Sequence, residues 1–349
     1  MHGSHERSIA LIVGGALSGG GGVNRIIRDL SEMFSDSLGL RVVVLSARGT
    51  ASPTYPFGPG VTVESHPEGA STAGYIKVLW GLRRRRFDFV VAFWPHDNIL
   101  AAVLLWLSGT KVILTEHTSW YFPSKPVQWL RKLAYRLAWR VLVLNDVEMR
   151  YYSRFLGNVR LLSNVVPEAV PQARAPVREK LVLAVGHLEP RKNFGDAIRA
   201  MAQSGLEAEG WGLAIVGDGP EKGKLEALIR DLGLTRTTIH APTLAIDQWY
   251  ARASVLLVTS LLEVFSLVLV EAIRGGALPL AYAADGPSFI LRDFPDQLVP
   301  IGDVAGLAAR LRAIGDLADR QQLAEEIRSS VGPRFSGETI AAQWRDLLA

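Results

Sequence analysis

Short, solidly apolar runs alternate with longer segments whose apolar residues recur every three to four positions. In the first half the runs are 8–13, 41–45, 61–64, 88–93, 111–115 and 141–144, and the periodic segments are 23–35, 74–85, 98–107 and 125–139. The runs predict buried strands, and the periodic segments predict helices with one side toward a core. Strands without a polar side are typical of a parallel sheet that helices cover on both faces.

The same alternation resumes in the second half, after a break. Between residues 164 and 178 the periodicity lapses and prolines appear at 167, 171 and 176, which is typical of a linker. Strands are then predicted at 181–185, 212–216, 238–240, 254–258 and 278–281, and helices at 194–204, 221–232, 246–252, 265–273 and 336–348. We predict an α/β protein of two doubly wound parallel-sheet domains, 1–170 and 171–335, with the terminal segment 336–349 packing back on the first.

Composition adds limits to this picture. The 349 residues are 48% hydrophobic, which is enough for two cores. The net charge is only +4, so the positive charge is concentrated in local clusters, at 83–86 and 131–140. The absence of cysteine excludes disulfides and thiol chemistry. The start lacks a signal-peptide core, and the lipid-like stretch 87–107 is interrupted at 95–98, which leaves both halves too short to span a bilayer. We expect a cytoplasmic protein that does not bind nucleic acid.

A glycine-rich loop follows the first strand and opens the first helix. Backbone amides in such a loop, including those of Gly21 and Gly22, can approach a phosphate without obstruction by a Cβ atom. The spacing is not that of the dinucleotide-binding fingerprint, and the second strand ends without an acidic residue for an adenosine ribose. A flexible turn without a ligand is the alternative.

A second strand-to-helix junction, at 185–194, carries the adjacent cations Arg191 and Lys192, followed by Asn193 as a predicted helix N-cap. Ligands of doubly wound sheets bind beyond the carboxyl ends of the strands, so these cations indicate an anion site. A preplaced Lys or Arg stabilises the negative charge that develops on a leaving phosphate. Ordinary surface charge is the alternative for both residues.

Two carboxylates surround a third junction, after the strand 254–258. Glu263 lies in the predicted loop and Glu271 inside the apolar helix that follows. Together they are placed to bind a long polar ligand such as a nucleotide sugar. The alternative makes Glu263 a helix cap and Glu271 a solvated helix residue. In the first half, His96, Glu116 and His117 also follow predicted strands, so we expect them at the ligand-binding edge.

In this order, the motifs of the chain resemble those of the retaining family 4 glycosyltransferases, which have the GT-B fold. The likeness covers nearly the whole chain, through the segments 21–25, 164–167, 185–194, 217–220 and 260–271. It implies two Rossmann-like domains that face each other across a cleft. It also implies sugar transfer, with retention at the anomeric carbon, from a nucleoside-diphosphate-sugar to a hydroxyl of a glycan or glycolipid in bacterial cell-surface polysaccharide synthesis. The donor is a co-substrate, and neither a metal nor another cofactor is implied.

The resemblance assigns roles to individual residues. Lys192, helped by Arg191, would contact the donor diphosphate. Glu271 would bind the ribose hydroxyls and Glu263 the transferred sugar. His117 resembles a histidine near the reacting sugar, although a lone histidine at this edge is more often structural. The remaining predicted donor-binding residues are Gly21, Gly22, His187, Ser266 and Leu267.

The chain departs from the family pattern at three positions. Family members commonly have arginine where this chain has His187, and glycine where it has Val264 and often where it has Ser266. A catalytically silent nucleotide-sugar-binding or scaffold subunit is therefore a second hypothesis. A sugar-nucleotide epimerase is a third, which the order of the motifs disfavours.

The acceptor side is represented by the basic segment 125–140. Its apolar residues Trp129, Leu130 and Leu133 are interleaved with cations, among them Arg131 and Arg136. Such a helix can lie on an anionic membrane and reach a lipid-linked acceptor, so we predict peripheral membrane contact. A packed helix with a solvated basic face is the alternative.

Overall fold

The computed structural model of the chain describes residues 7–15, 17, 22–46, 53–66, 71–120, 124–166 and 178–349. The chain divides into two compact units. Unit 1 comprises Met1–Pro167 and Gly337–Ala349, and unit 2 comprises Glu168–Ser336. The boundary predicted after residue 170, and most of the predicted linker, lie outside the described residues.

The described strands of unit 1 form one parallel sheet of seven strands. In chain order they are β1 (Ser8–Val13), β2 (Arg41–Ser46), β3 (Val61–Ser65), β4 (Phe89–Ala92), β5 (Lys111–Thr115), β6 (Arg140–Val143) and β7 (Val159–Leu161). The order across the sheet is β3-β2-β1-β4-β5-β6-β7. All six residues of β1 are buried, as expected for a central strand with both faces covered. Strand β7 was not predicted, because two of its three residues are exposed.

Among the described residues of unit 1, five α-helices connect these strands. They are α1 (Gly22–Asp36), α2 (Thr72–Arg85), α3 (Pro95–Leu105), α4 (Lys125–Ala134) and α5 (Asp146–Tyr152). The predicted helix 125–139 is shorter than expected, since α4 gives way to a 3₁₀ turn, Tyr135–Leu137. The Asn158 amide explains the end: its Nδ2 donates to the carbonyls of Tyr135 and Ala138, at 3.1 and 2.7 Å. Because Asn158 satisfies these two carbonyls, they do not require hydrogen bonds from a further turn of helix.

One core of unit 1 lies between the sheet and the layer formed by α2, α3 and α4. Ile12, Val90 and Leu114 of the strands share one buried cluster with Leu79 of α2 and Ala102 of α3. The inner sides of the three helices are therefore buried against the sheet. Their outer sides define one surface of unit 1.

The described strands of unit 2 form a second parallel sheet, of six strands. They are β8 (Glu179–Val185), β9 (Gly212–Val216), β10 (Thr237–His240), β11 (Ala253–Val258), β12 (Leu278–Tyr282) and β13 (Leu298–Val299). The order is β10-β9-β8-β11-β12-β13. The chain thus builds outward from β8 to one side and from β11 to the other. Two doubly wound parallel sheets confirm the predicted fold class.

The described part of unit 2 contains seven α-helices. They are α6 (Phe194–Ser204), α7 (Lys222–Asp231), α8 (Ile246–Arg252), α9 (Leu267–Arg274), α10 (Asp285–Ile290), α11 (Val304–Asp316) and α12 (Arg320–Val331). Helices α11 and α12 are absent from the prediction. The buried residues Leu307, Leu311 and Ile314 nevertheless recur at helical spacing in α11.

The last helix, α13 (Gly337–Leu348), belongs to unit 1 although it follows unit 2 in the chain. Trp344 is buried and meets Phe34 of α1 edge to face, with ring centroids 4.8 Å apart. This contact holds the end of the chain against α1. None of the helices in the described part of the chain is long and apolar enough to cross a membrane.

Candidate active site

Strands β8 and β11 are neighbours in the sheet of unit 2, and their following segments lead to opposite sides. Such a switch point leaves a crevice at the carboxyl edge, because the two loops diverge instead of covering each other. The loop after β8 carries Arg191 and Lys192. The loop after β11 carries Glu263. The sequence-predicted charges of unit 2 are therefore brought to the point where this architecture places ligands.

The two loops are joined by hydrogen bonds that involve neither the ammonium group of Lys192 nor the carboxylate of Glu263. The amide of Leu261 donates to the Arg191 carbonyl at 2.9 Å, and the Thr259 hydroxyl donates to the Lys192 carbonyl at 3.1 Å. Arg191 Nη1 adds a bond to the Leu262 carbonyl at 3.1 Å. These bonds fix the backbone from which the charged side chains extend.

Lys192 and Glu263 form an ion pair between Nζ and Oε2. The Ser260 hydroxyl donates to the same carboxylate oxygen at 3.2 Å. The two side chains are 17% and 10% exposed, so the pair is largely shielded but still reaches solvent. An ammonium group has three N–H bonds, and Glu263 takes one of them. Lys192 is thus oriented by Glu263 while it keeps donors for an anionic ligand.

The start of α10, after β12, packs on the Glu263 segment. The amide of Gly286 donates to the Glu263 carbonyl at 2.7 Å. A Cβ atom on Gly286 would lie 2.9 Å from that oxygen, so the close approach requires glycine. The segment that carries Glu263 is therefore held from both sides, by the loop that follows β8 and by the start of α10.

Glu271 lies within α9, and its residue is only 7% exposed. The hydroxyl of Tyr250, from α8, donates to Glu271 Oε2 at 2.8 Å. Tyr250 is itself 1% exposed. The alternative of a solvated helix residue is therefore wrong for Glu271, whose carboxylate is fixed by a buried phenol. Sequence reasoning missed Tyr250, because nothing in the local pattern of α8 links it to a residue of α9.

Helix α9 begins at Leu267, directly after Ser266. Glu263 consequently lies in the loop and does not cap the helix. The alternative interpretation of Glu263 as a helix cap is therefore also wrong. Ser266 is 1% exposed, and its Oγ has no hydrogen-bond partner among the described residues. The first-turn amides of a helix lack intrahelical acceptors and favour anions. Ser266 and Leu267 therefore combine a buried hydroxyl with a helix N-terminus.

Other predicted residues of unit 2 have different surroundings. The Arg191 guanidinium binds the Glu189 carboxylate at 2.6 Å in addition to the Leu262 carbonyl, so its contacts tie loops together. His187 is exposed in the loop after β8. Asn193 occupies the N-cap position of α6, but in the left-handed conformation, with φ 50°. Asn193 is therefore the N-cap residue as predicted, but its side chain does not accept a backbone bond: its Nδ2 donates to Asp196 Oδ2 at 2.7 Å.

His117, in unit 1, follows β5 and stacks on Phe93 with ring centroids 5.7 Å apart. The Thr115 hydroxyl donates to the Ala92 carbonyl at 2.8 Å, so its oxygen accepts from His117 Nε2, 3.1 Å away. His117 is partly exposed. Desolvation by the surrounding protein lowers the pKa of its imidazole to about 4. The ring is therefore neutral at neutral pH and has Nδ1 as a hydrogen-bond acceptor.

Glu116, the residue before His117, is not at the ligand-binding edge as predicted. Its side chain is fully buried and pairs with Arg131, while Asn98 Nδ2 donates to Oε1 at 3.1 Å and the Tyr135 hydroxyl also donates to it. Burial raises the pKa of the Glu116 carboxyl, against the opposing effects of Arg131 and Tyr135. Arg131 is 2% exposed, so it belongs to this buried network and not to the basic face predicted for 125–140.

Asp97 is a residue of unit 1 that sequence reasoning missed. It lies just after β4 and accepts a bond from the Gly14 amide, after β1, at 2.8 Å. A Cβ atom on Gly14 would lie 2.1 Å from the Asp97 carboxylate, so glycine is required there. Burial raises the pKa of Asp97, against the effect of this bond. An acidic residue after a strand, opposite a glycine loop, was the available signal.

The remaining glycine-loop predictions are only partly described. Gly22 is exposed and opens α1, whereas Gly21 lies outside the described residues. Within the ranges that the structure describes, no group of three or more His, Asp or Glu residues is placed to hold a metal ion.

Two protein-family descriptions match adjacent parts of the chain. "Glycosyl transferases group 1" matches residues 166–329, and "Glycosyl transferase 4-like domain" matches residues 21–167. The first match contains every predicted donor-binding residue of unit 2. The second contains the glycine loop from Gly21 onward and His117.

Individual proteins are similar over different lengths. The chain is 29% identical to the amylovoran biosynthesis glycosyltransferase AmsD of Erwinia amylovora, over 97% of this chain and 99% of that protein. It is 32% identical to an exopolysaccharide phosphotransferase of Streptomyces coelicolor, over 60% of this chain but only 23% of that protein. The solved structure of Anabaena HepE in complex with UDP and glucose shares the fold, with a TM-score of 0.81, 17% identity and coverage of 98% and 99%.

Proposed function

Because this chain belongs to the glycosyl transferases group 1 family and is a glycosyltransferase, we propose that its donor is a nucleoside-diphosphate-sugar bound by unit 2. Transfer goes to a hydroxyl of a glycan or glycolipid acceptor, with retention at the anomeric carbon. The observation that carries this proposal is the Lys192–Glu263 ion pair at the β8/β11 switch point. It combines an oriented cation with a carboxylate where doubly wound sheets bind ligands.

The leaving group of the reaction is the nucleoside diphosphate, which gains negative charge as the bond to the sugar breaks. Lys192 offers its remaining N–H donors to this charge, and the first turn of α9 adds backbone amides. The buried Ser266 Oγ, without a partner among the described residues, offers a further donor. A preorganised set of this kind stabilises the leaving diphosphate without a metal ion. His187, Arg191 and Leu267 keep their predicted contacts with the diphosphate as part of this proposal.

The carboxylates of Glu271 and Glu263 bind hydroxyl groups at the two ends of the donor, the ribose and the transferred sugar. Glu271 accepts hydrogen bonds from the ribose, and its Tyr250 bond fixes the direction in which the carboxylate faces. Glu263 accepts from a hydroxyl of the transferred sugar while it orients Lys192. In unit 1, the neutral His117 supplies Nδ1 as an acceptor for a sugar hydroxyl. Gly21 and Gly22 provide backbone amides, as the resemblance implies.

Three substitutions test these roles. We expect Glu271→Ala to raise the donor Kd about tenfold to a hundredfold, because a charged hydrogen-bond acceptor is lost. Lys192→Ala should leave the donor Kd nearly unchanged and lower kcat about a hundredfold or more, since it acts on the charge of the leaving group. Glu263→Ala should do both. Isothermal titration calorimetry with a series of nucleoside-diphosphate sugars and steady-state kinetics measure the two effects separately.

Lys224→Ala is the matched control, because Lys224 pairs with Glu221 on an exposed helix face, where its side chain is 78% exposed. Wild-type binding and turnover in all three site variants would contradict the assigned roles. If the wild type binds the donor but neither hydrolyses nor transfers it, the result would instead indicate a catalytically silent binding subunit. The departures from the family pattern at His187 and Val264 led to that hypothesis.

For the acceptor, we infer a lipid-linked glycan met at the cytoplasmic face of an anionic membrane, in cell-surface polysaccharide synthesis. The similar Erwinia and Streptomyces proteins are named for amylovoran and exopolysaccharide. In α4, Trp129 is 64% exposed and Leu130 and Leu133 are 45% and 42% exposed, so the apolar side predicted to reach a membrane is solvent-accessible. Transfer to a lipid-linked acceptor in vesicles, compared with the same glycan without its lipid, tests this inference.

A further inference from the structure

The large apolar side chains exposed on unit 1 are concentrated on one helical layer. Most of those in its described part lie on α2, α3 and α4 or at their ends: Ile76, Trp80, Val103, Trp106, Leu107, Trp129, Leu130 and Leu133. Trp106 is 56% and Leu107 71% exposed. Large apolar side chains that are exposed together on one layer are typical of a binding surface for a protein or a membrane.

These residues belong to one face because their helices pack side by side on the same side of the sheet, α2 on α3 and α3 on α4. Arg83 joins α2 to the end of α3, where its Nη1 donates to the Leu104 carbonyl at 3.1 Å. The same guanidinium lies over the Trp80 ring, 4.5 Å from its centroid. Trp80 is thereby connected to the end of α3 that carries Trp106. We call the set Trp80, Trp106 and Trp129, with the apolar neighbours named above, the tryptophan face.

The charges of the layer have a single sign. Helices α2 and α4 contain no acidic residue, and the acidic residue of α3, Asp97, is buried. Exposed cations lie on the same elements, with Lys77 and Arg84 on α2 and Arg136 after α4. Each Lys or Arg near an anionic membrane surface adds electrostatic attraction to binding.

We propose that the tryptophan face inserts into the headgroup region of an anionic lipid bilayer, so that α2, α3 and α4 together form the membrane-binding surface. Tryptophan prefers the interface between lipid and water, and flanking Lys and Arg favour anionic headgroups. A protein partner of comparable affinity would present carboxylates to these cations and pockets to three separate indoles. A bilayer satisfies both without a specific shape. This inference deepens the proposed function, since the lipid-linked acceptor gives the contact its purpose.

Vesicle binding by the full chain tests the proposal without any requirement for activity. The protein is sedimented with vesicles of phosphatidylcholine alone or with phosphatidylglycerol, at low and high salt. We expect binding to the anionic vesicles that weakens with salt, and quenching of tryptophan fluorescence by brominated lipid. Trp80→Ala and Trp106→Ala should each lower the partition coefficient severalfold, as should Trp129→Ala, and the triple variant should lower it about tenfold or more.

The single variants distinguish three helices from one. If α4 alone touches the membrane, only Trp129→Ala has an effect, and the proposal is overturned. The unit 2 control is Leu244→Ala, whose side chain is 70% exposed, and it should bind as the wild type does. Unchanged thermal midpoints show that the surface variants fold.

Two further outcomes also overturn the proposal. One is equal recovery of the wild type in the supernatant with both vesicle types. The other is a concentration-dependent dimer, lost in the triple variant, without vesicle binding. Donor hydrolysis by the same variants in vesicle-free buffer reports on the proposed function independently, and we expect wild-type rates there.

Discussion

The two units use the same sheet topology but place different chemistry at the switch point. In unit 1 the loop after β1 and the first turn of α3, which follows β4, are joined by a backbone amide and a carboxylate, those of Gly14 and Asp97. In unit 2 the loops after β8 and β11 are joined by the Lys192–Glu263 ion pair. A buried carboxylate that holds a glycine loop positions the backbone. A partly exposed ion pair retains unused donors, and a charged ligand can use them.

The two units also differ in their buried charges and in their exposed apolar side chains. Unit 1 buries a complete ion pair, Glu116 with Arg131, and exposes tryptophans on α2, α3 and α4. In the described part of unit 2, the large exposed apolar side chains are aliphatic and lie apart on different elements: Leu232, Leu244, Leu261, Ile301 and Leu317. The edge of the unit 2 sheet carries the partly exposed ion pair, and the helices of unit 1 carry the tryptophans for which we propose lipid contact. Each substitution below tests one side of this comparison.

The largest expected effect comes from the buried pair of unit 1. Arg131→Met removes the cation that faces Glu116, and loss of one partner of a buried pair destabilises a protein by about 3–5 kcal/mol. Urea unfolding followed by tryptophan fluorescence measures the change. Unit 2 contains Trp211 and Trp249, so the other seven of the nine tryptophans report on unit 1.

The matched change in unit 2 is Arg252→Ala, which breaks an ion pair with Glu179 whose side chains are about half exposed. Solvent-exposed pairs contribute about 0–1 kcal/mol. Similar losses of stability in the two variants would refute the distinction between a structural charge network in unit 1 and surface charge in unit 2.

The sequence predicted most strands because solidly apolar runs such as β1 and β11 have few other structures available to them. It also placed Lys192 and Glu263 at one edge, since parallel strands end together. It misplaced Glu116 and Arg131, because a charge after a strand or on a helix has the same local pattern whether or not a partner buries it. That partner is distant in sequence, as Tyr250 is from Glu271. It placed Asn193 at the N-cap of α6 correctly, but it could not predict the left-handed φ angle or the bond to Asp196, because both depend on the tertiary position of the loop.

We expect acid to lower the stability of the folded protein through His117 in unit 1. The folded-state pKa of His117, about 4, lies below the ordinary value of 6.5, so the unfolded chain binds a proton first as the pH falls. Stability is therefore unaffected above pH 6.5 and decreases between 6.5 and 4, by up to about 3 kcal/mol. His117→Gln removes this dependence. The difference between the two proteins in urea midpoint, measured across that range, checks the sign, and a difference that grows above pH 7 would contradict it.

The third prediction tests whether Tyr250 positions the donor site of unit 2. Tyr250→Phe removes the hydrogen bond to Glu271, and a bond to a charged group contributes about 1.5–3 kcal/mol. Part of that loss should appear as a donor Kd raised about fivefold to tenfold, with kcat nearly unchanged, because the contact that we propose for Glu271 is with the ribose and not with the reacting bond.

Tyr282→Phe is the matched control, since it removes a hydroxyl that donates to Asp196 at 2.9 Å in the same unit. Both variants should lose stability, and only Tyr250→Phe should weaken donor binding. A purely structural role for Tyr250 would make the two variants alike in their donor Kd.

The smallest expected effect compares the two residues other than glycine that have positive φ in the described chain, Arg86 in unit 1 and Asn193 in unit 2, both at 50°. Arg86 follows α2 as its left-handed cap, a conformation that costs a residue with a Cβ about 1–2 kcal/mol. Arg86→Gly should therefore stabilise unit 1 by up to about 1 kcal/mol. Asn193→Gly should gain little, because asparagine tolerates this conformation and the bond to Asp196 is lost. Thermal midpoints distinguish the two variants: a gain from Asn193→Gly as large as that from Arg86→Gly would mean that the Asp196 bond does not stabilise the loop that carries Lys192.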